Sequence, residues 1–183
     1  MQDLTLPLVI TVLCANSWAV REDLLSHRIP NWLSASLLCL GLGLHLRFEG
    51  WSGLGQGTLG VLIGFAALLP LYLLRATGAG DVKLLAALGA GLGPYWALMA
   101  GIYTMLAGAV LAVGYVGFVA ARTALEPAGL TWPLRIQVGF LRAQEMRRER
   151  FPYALAIAVG GFAVLLQRGD LTSVYGYLSG AYR

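Results

Sequence analysis

A chain of 183 residues with 58% hydrophobic and only 12% charged side chains carries about half the charge usual for a soluble domain. At this size the surface-to-volume ratio would leave much of that apolar surface in water, and the same composition excludes disorder and a disulfide-stapled scaffold. The class that remains is an all-α polytopic membrane protein, a single integral-membrane domain over residues 1–183. The net charge of +4 is no nucleic-acid signal until its charges are placed, and no nucleic-acid partner is expected.

Six apolar stretches are predicted as spans, at residues 4–20, 31–46, 54–74, 82–92, 94–121 and 153–167. A helix rising about 1.5 Å per residue needs about 20 residues to cross a 30 Å hydrocarbon core. The first, third and fifth meet this; the second and sixth are short. The fourth is the weakest, with Gly89, Gly91 and Gly93 before Pro94, so a re-entrant hairpin or one bent helix are alternatives there. The N-terminus lacks a basic leader and carries Asp3, which does not read as a signal peptide.

Lys and Arg set the orientation. With six spans, one side receives Arg21, Arg28, Arg75, Lys83, Arg122, Arg135, Arg142, Arg147, Arg148 and Arg150. The other receives Arg47, Arg168 and Arg183. The bias puts both termini outside the cytoplasm and the segments around Asp23 and Asp81 inside. The long connection at about 122–152 contains Leu134, Val138 and Leu141 at helical spacing ahead of a basic run. It reads as an amphipathic cytoplasmic segment on anionic headgroups.

Two acids stand apart. Asp23 directly follows the first stretch, and Asp81 opens the fourth, in Gly78-Ala79-Gly80-Asp81-Val82-Lys83. The parity of the spans puts both at one membrane face, whatever the absolute orientation. An acid at a span end is ordinarily a solvated boundary residue. Two carboxylates close together, however, resist double ionisation and share a proton. The ionised partner can then activate water while the protonated one hydrogen-bonds a peptide carbonyl. Gly78 and Gly80 would loosen the backbone beside Asp81. Lys83, two positions on, belongs to another helix face, and Pro30 and Asn31 read as the start of the second span.

The remaining chemistry is sparse. His27 and His45 lack metal-ligand spacing, and His45 reads as a helix-end residue. Cys14 and Cys39 sit inside different spans and read as small buried apolar side chains. No zinc pair, Walker loop or dinucleotide fingerprint is present, so no metal and no cofactor are expected. The Gly60-x-x-x-Gly64 and Gly89-x-x-x-Gly93 spacings predict close helix packing.

The segment Gly78-Ala79-Gly80-Asp81-Val82-Lys83 resembles the Gly-x-Gly-Asp-x-Lys signature of type IV prepilin peptidases, membrane aspartyl proteases. Residues 23–31, ending Arg28-Ile29-Pro30-Asn31, resemble that family's first aspartate motif. Phe151-Pro152-Tyr153-Ala154-Leu155-Ala156-Ile157-Ala158 is similar to the Pro-Tyr stretch that often opens its last span. The motifs occur in order over nearly the whole chain. The resemblance implies endoproteolysis of the leader of a prepilin or pseudopilin precursor at the cytoplasmic face of the bacterial inner membrane. It implies Asp23 and Asp81 as the catalytic dyad, with Gly78, Gly80, Lys83, Arg28, Pro30 and Asn31 around them. Larger members that also methylate the new N-terminus carry an added cytoplasmic segment, often with two Cys-x-x-Cys pairs. With two cysteines, both in spans, and no such segment before the second span, this chain resembles the short peptidases of tight-adherence (Flp) pilus systems. Archaeal preflagellin peptidases are the nearest rival. Outside proteolysis, the alternatives are a small ion- or proton-coupled transporter using Asp81 and Lys83, and a non-catalytic partner in pilus assembly.

Overall fold

The computed structural model describes residues 2–26, 30–75, 77–124 and 153–169. Every element among them is an α-helix: α1 (Gln2–Ser26), α2 (Asn31–Leu73), α3 (Ala79–Leu92), α4 (Pro94–Ala124) and α5 (Tyr153–Arg168). Arg28 and His27 lie outside the described residues, as does all but the first turn of the long connection.

Five helices stand where six stretches were predicted, because the second and third stretches form one element bent at Gly50. Gly50 adopts φ 66° and ψ −148°, a conformation that side chains beyond glycine rarely enter. The contacts on α3 show that the chain reverses there. Along the first arm of α2, Asn31 meets Lys83 and His45 meets Gly91. Along the second arm, Gly57 lies against Ala90, Gly60 against Gly89 and Gly64 against Leu85. The first arm therefore runs with α3 and the second against it.

Helix α3 is the centre of this packing. It is one unbroken helix of 14 residues, which corrects the expectation of a possible hairpin or bend. From Asp81 to Leu92 each residue except Lys83 is buried. Gly93, with φ 80°, ends it, and Pro94 starts α4 with no N–H to satisfy. The approach of α2 is backbone to backbone. A methyl group on Gly41 would stand 2.7 Å from the Gly91 amide nitrogen, one on Gly64 2.6 Å from the Leu85 carbonyl oxygen, and one on Gly60 would strike the Gly89 carbonyl. The Gly60/Gly64 spacing does what it predicts. The Gly89/Gly93 pair does so too, since a methyl group on Gly60 would stand 3.1 Å from the Gly93 carbonyl carbon as well, and Gly93 also makes the turn out of α3.

Helices α1 and α5 pack antiparallel in register: Asp23 meets Ala154 and Asn16 meets Gly161. Helix α1 runs six residues past the predicted end at Val20, since Arg21 to Leu25 contains no breaker and good helix formers.

Two expectations need correction. Cys14 and Cys39 are exposed, which an apolar face turned toward lipid tolerates as well as a core does. His45 does lie near the end of a helix, the first arm of α2 before Gly50, and there it is buried. Its Nδ1 lies 3.0 Å from Glu49 Oε2 and its Nε2 donates to the Gly91 carbonyl at 3.0 Å. Gly78 has an ordinary extended backbone (φ −84°, ψ 156°), so the glycines ahead of Asp81 do not loosen the chain there.

Among the described residues, two stretches are long and apolar enough to cross a membrane, Asn31–Leu73 and Pro94–Tyr115. The chain divides into two compact units, residues 1–107 with 152–183, and residues 108–151. All the contacts above lie in the first. The described part of the second is the continuation of α4, with Val110, Val113 and Phe118 exposed.

Gly60→Ala forces a methyl group onto the Gly89 carbonyl and is expected to cost about 1–3 kcal/mol. Gly43→Ala, on an open helix face where nothing lies within 4 Å, is expected to be neutral or to stabilise by up to about 1 kcal/mol. Thermal unfolding of the two variants in detergent checks the pair; equal melting temperatures would refute the close approach of α2 to α3.

Candidate active site

Among the described side chains, Asp23 and Asp81 are the buried acids, 7% and 8% exposed. They are therefore not solvated boundary residues. Each is placed by its own helix. Asp23 faces inward on the last turns of α1. Asp81 sits at the third position of α3, where its Oδ2 accepts the Gly78 N–H at 2.9 Å. That bond satisfies one of the main-chain donors around a helix start. A methyl group on Gly78 would come within 3.3 Å of the same oxygen, so the glycine admits the carboxylate by lacking a side chain.

The helices that carry the two acids both pack on a third element, α5. Asp23 Oδ2 accepts the Ala154 N–H at 3.2 Å, at the second residue of α5. The preceding residue, Tyr153, lies within the field of the Asp81 carboxylate. The first turn of α5 thus binds Asp23 directly and senses the charge of Asp81, two acids 58 residues apart in sequence. Unpaired main-chain N–H groups at a helix start carry partial positive charge, so this turn is a favourable seat for carboxylates.

The other residues singled out in the sequence lie around this end. Pro30 precedes α2 and its carbonyl accepts the Leu33 N–H at 3.1 Å, while Asn31 begins the helix. Lys83 is exposed and its Nζ donates to Asn31 Oδ1 at 3.1 Å, pinning the start of α2 to the first turns of α3. Gly80 lies in the first turn of α3. Among the described residues no three His, Cys, Asp or Glu side chains cluster as metal ligands.

Sequence reasoning missed several polar groups. Tyr153, Thr77 and Ser34 each hold a buried hydroxyl oxygen with no hydrogen-bond partner among the described residues. Further along the helices, the Asn16 carboxamide and the Thr104 hydroxyl are likewise buried without a partner among the described residues, beside Gly161 and Gly160 respectively. Only Tyr153 carried a signal, its place in the Pro-Tyr stretch, and that signal gave it no role.

A chemical reading follows from the geometry. Each buried carboxylate is held by a main-chain donor, Asp23 by Ala154 and Asp81 by Gly78, and a carboxylate so placed can accept a proton from a water. The chain matches the type IV leader peptidase family over residues 8–113, a stretch that contains both acids. Comparison with curated proteins and with solved structures gave no match.

Asp23→Ala removes the acceptor of a buried main-chain N–H and is expected to lower stability by about 1–3 kcal/mol. Asp23→Asn keeps a carbonyl oxygen there and should lose less. Equilibrium unfolding in micelles compares the two; equal losses would mean that the bond to Ala154 contributes nothing.

Proposed function

The chain belongs to the type IV leader peptidase family, and we propose that it is a membrane aspartyl endopeptidase that uses Asp23 and Asp81 together to cleave prepilin leaders. Membership itself implies a peptidase, a hydrolase acting on type IV prepilins. The observation that supports the finer reading is that the two acids are buried on helices that both pack against α5, whose first turn holds Asp23 through the Ala154 N–H and lies in the field of Asp81.

The reaction needs one carboxylate ionised and one protonated. The ionised acid takes a proton from a water as the water oxygen bonds to the scissile carbonyl carbon. The protonated acid gives its proton to the carbonyl oxygen, forming a neutral tetrahedral diol. The diol collapses: the C–N bond breaks as the leaving amine takes a proton from one acid, and a diol hydroxyl gives its proton to the other as the new carboxyl group forms. Water is consumed, and the acids end as they began. Neither a metal nor a covalent intermediate enters this scheme.

The substrate fits a site at a membrane face. A prepilin carries its leader just ahead of an apolar stem, so cutting at the boundary lets the stem stay in lipid while the leader lies in the cytoplasm. The Lys and Arg bias supports that orientation, and six spans in one inner-membrane domain agree with it if each arm of α2 crosses. The short connection between α1 and α2, with no Cys-x-x-Cys pair, favours a peptidase of the Flp type without N-methyltransferase activity.

Co-expression with an Flp-type prepilin, read by mass spectrometry, tests the reading. Wild type is expected to remove the leader and add no methyl mass. Asp23→Asn and Asp81→Asn should each lose roughly three to four orders of magnitude, the scale on which losing one member of a hydrolytic set acts. Cleavage by both variants at the wild-type rate would remove the dyad; retained pilus assembly with no cleavage by any form would favour an assembly role. Activity is expected to fall at the pH extremes, as the shared proton is gained or lost, and to be unchanged by EDTA. Inhibition by EDTA that one metal reverses would overturn the metal-free scheme.

A further inference from the structure

We propose that the Tyr153 hydroxyl is a catalytic hydrogen-bond donor, binding the scissile carbonyl oxygen of the substrate as the tetrahedral intermediate forms. This rests on the Asp23/Asp81 reading and adds a third group to it.

Four observations converge on the residue. Tyr153 is buried, and its hydroxyl has no hydrogen-bond partner among the described residues. It is the first residue of α5, and the next residue grips Asp23 through its N–H. The Asp81 carboxylate acts on it electrostatically. Helices α1 and α3, which carry the acids, both contact α5. The hydroxyl is thus a buried polar group without an acceptor among the described residues, on the residue beside the one that holds Asp23 and within the field of Asp81.

The other unpartnered groups are less suited to that role. A Ser or Thr hydroxyl can rotate onto a carbonyl of its own helix turn, as Thr11, Ser17, Ser36 and Thr58 do. The phenol of Tyr153 is held at the end of a rigid ring, beyond reach of its own turn, so its partner has to come from elsewhere. Asn16 lies seven residues before Asp23 along α1, about 10 Å deeper. Its Nδ2 packs so closely on Gly161 that a methyl group there would be 2.6 Å away. Nothing can enter at that point.

The chemistry suits a phenol. Its usual pKa near 10 lets it keep its proton through the reaction and donate a hydrogen bond without acting as acid or base. As water adds to the carbonyl carbon, electron density moves onto the carbonyl oxygen. A donor already aimed at that oxygen strengthens its bond at that moment, which lowers the barrier without tightening the ground state. The proton inventory of the dyad is unchanged.

Tyr153→Phe removes the oxygen and leaves the ring. In the full chain, in membranes or micelles with the prepilin as substrate, kcat is expected to fall by about 10²–10³-fold, the effect of losing one such donor. KM should stay within about two-fold, both limbs of the pH–rate profile should stay in place, and the melting temperature should not fall. Wild-type kcat in Tyr153→Phe, alongside an inactive Asp81→Asn, would overturn the inference and leave the dyad standing. A loss of kcat recovered at a shifted pH optimum would overturn it too, since the hydroxyl would then act only through a carboxylate. A Tyr153→Phe chain that melts lower or fails to fold would assign the hydroxyl to the fold. Full cleavage by Asp81→Asn would remove the dyad and this inference together.

Discussion

A helix of 14 residues rises about 21 Å, well short of a 30 Å hydrocarbon core. Helix α3 therefore cannot serve as an ordinary span with both ends in water, and its neighbours have to enclose it. In lipid there is little hydrophobic drive to bring helices together, so close van der Waals packing between small residues must supply the attraction. That constraint explains the glycines of α2. Gly41 on one arm and Gly57, Gly60 and Gly64 on the other bring two antiparallel arms against the backbone of α3, and Gly50 makes the reversal that lets a single chain segment supply both. Asp81 is fixed as a consequence: it sits on the first turn of a helix held along its length.

The second acid is fixed differently. Asp23 lies on α1, which packs antiparallel to α5 with Asn16 beside Gly161 and Asp23 beside Ala154. Seven residues separate each pair on both helices, so the register is regular and the carboxylate meets the start of α5 rather than its side. Main-chain N–H groups then orient both acids, from Gly78 and from Ala154. A main-chain donor cannot swing away as a Lys or Arg side chain can, and it brings no full charge to be desolvated in an apolar setting. Lys83, the nearest cation in sequence to Asp81, is occupied on the exposed side with Asn31.

Composition made the helical class legible, and hydropathy found every described helix. Parity of six spans predicts Asp23 and Asp81 at one membrane face, and the structure shows each of them buried at a helix end. What stayed hidden depended on approach distances and on backbone angles. Gly50 looks like any glycine between two apolar stretches, and only its φ and ψ reveal a reversal within one element. Gly78 and Gly80 suggested a loosened backbone, because sequence shows that a side chain is missing but not which neighbour fills its place; at Gly78 that neighbour is the Asp81 carboxylate. Cys14 and Cys39 were read as buried because an apolar residue in a membrane helix has two apolar destinations, the core and the lipid, and hydropathy cannot separate them. The end position of His45 is legible, but its burial is not, because its acceptor, the Gly91 carbonyl, is 46 residues away. Tyr153 stood inside a recognisable stretch, yet a hydroxyl without a partner can be seen only when everything around it is in place.

The enclosure of α3 also gives its polar ends a second duty. The first N–H groups and last carbonyls of any helix lack intrahelical partners, and at membrane depth water is not there to supply them. At the C-terminal end, His45 Nε2 donates to the Gly91 carbonyl and the Gly93 N–H reaches back to Gly89. At the N-terminal end the partner is the Asp81 carboxylate itself, which accepts the Gly78 N–H. One side chain therefore closes the helix start and stands in the candidate dyad. The two duties differ in what they require: closure needs only an oxygen with a lone pair, whereas acid–base work needs a proton that can come and go. An amide at position 81 keeps the first and loses the second, while a methyl group loses both. Loss of cleavage in an Asn variant accordingly reports on chemistry, and the same loss in an Ala variant would report on chemistry and helix start at once.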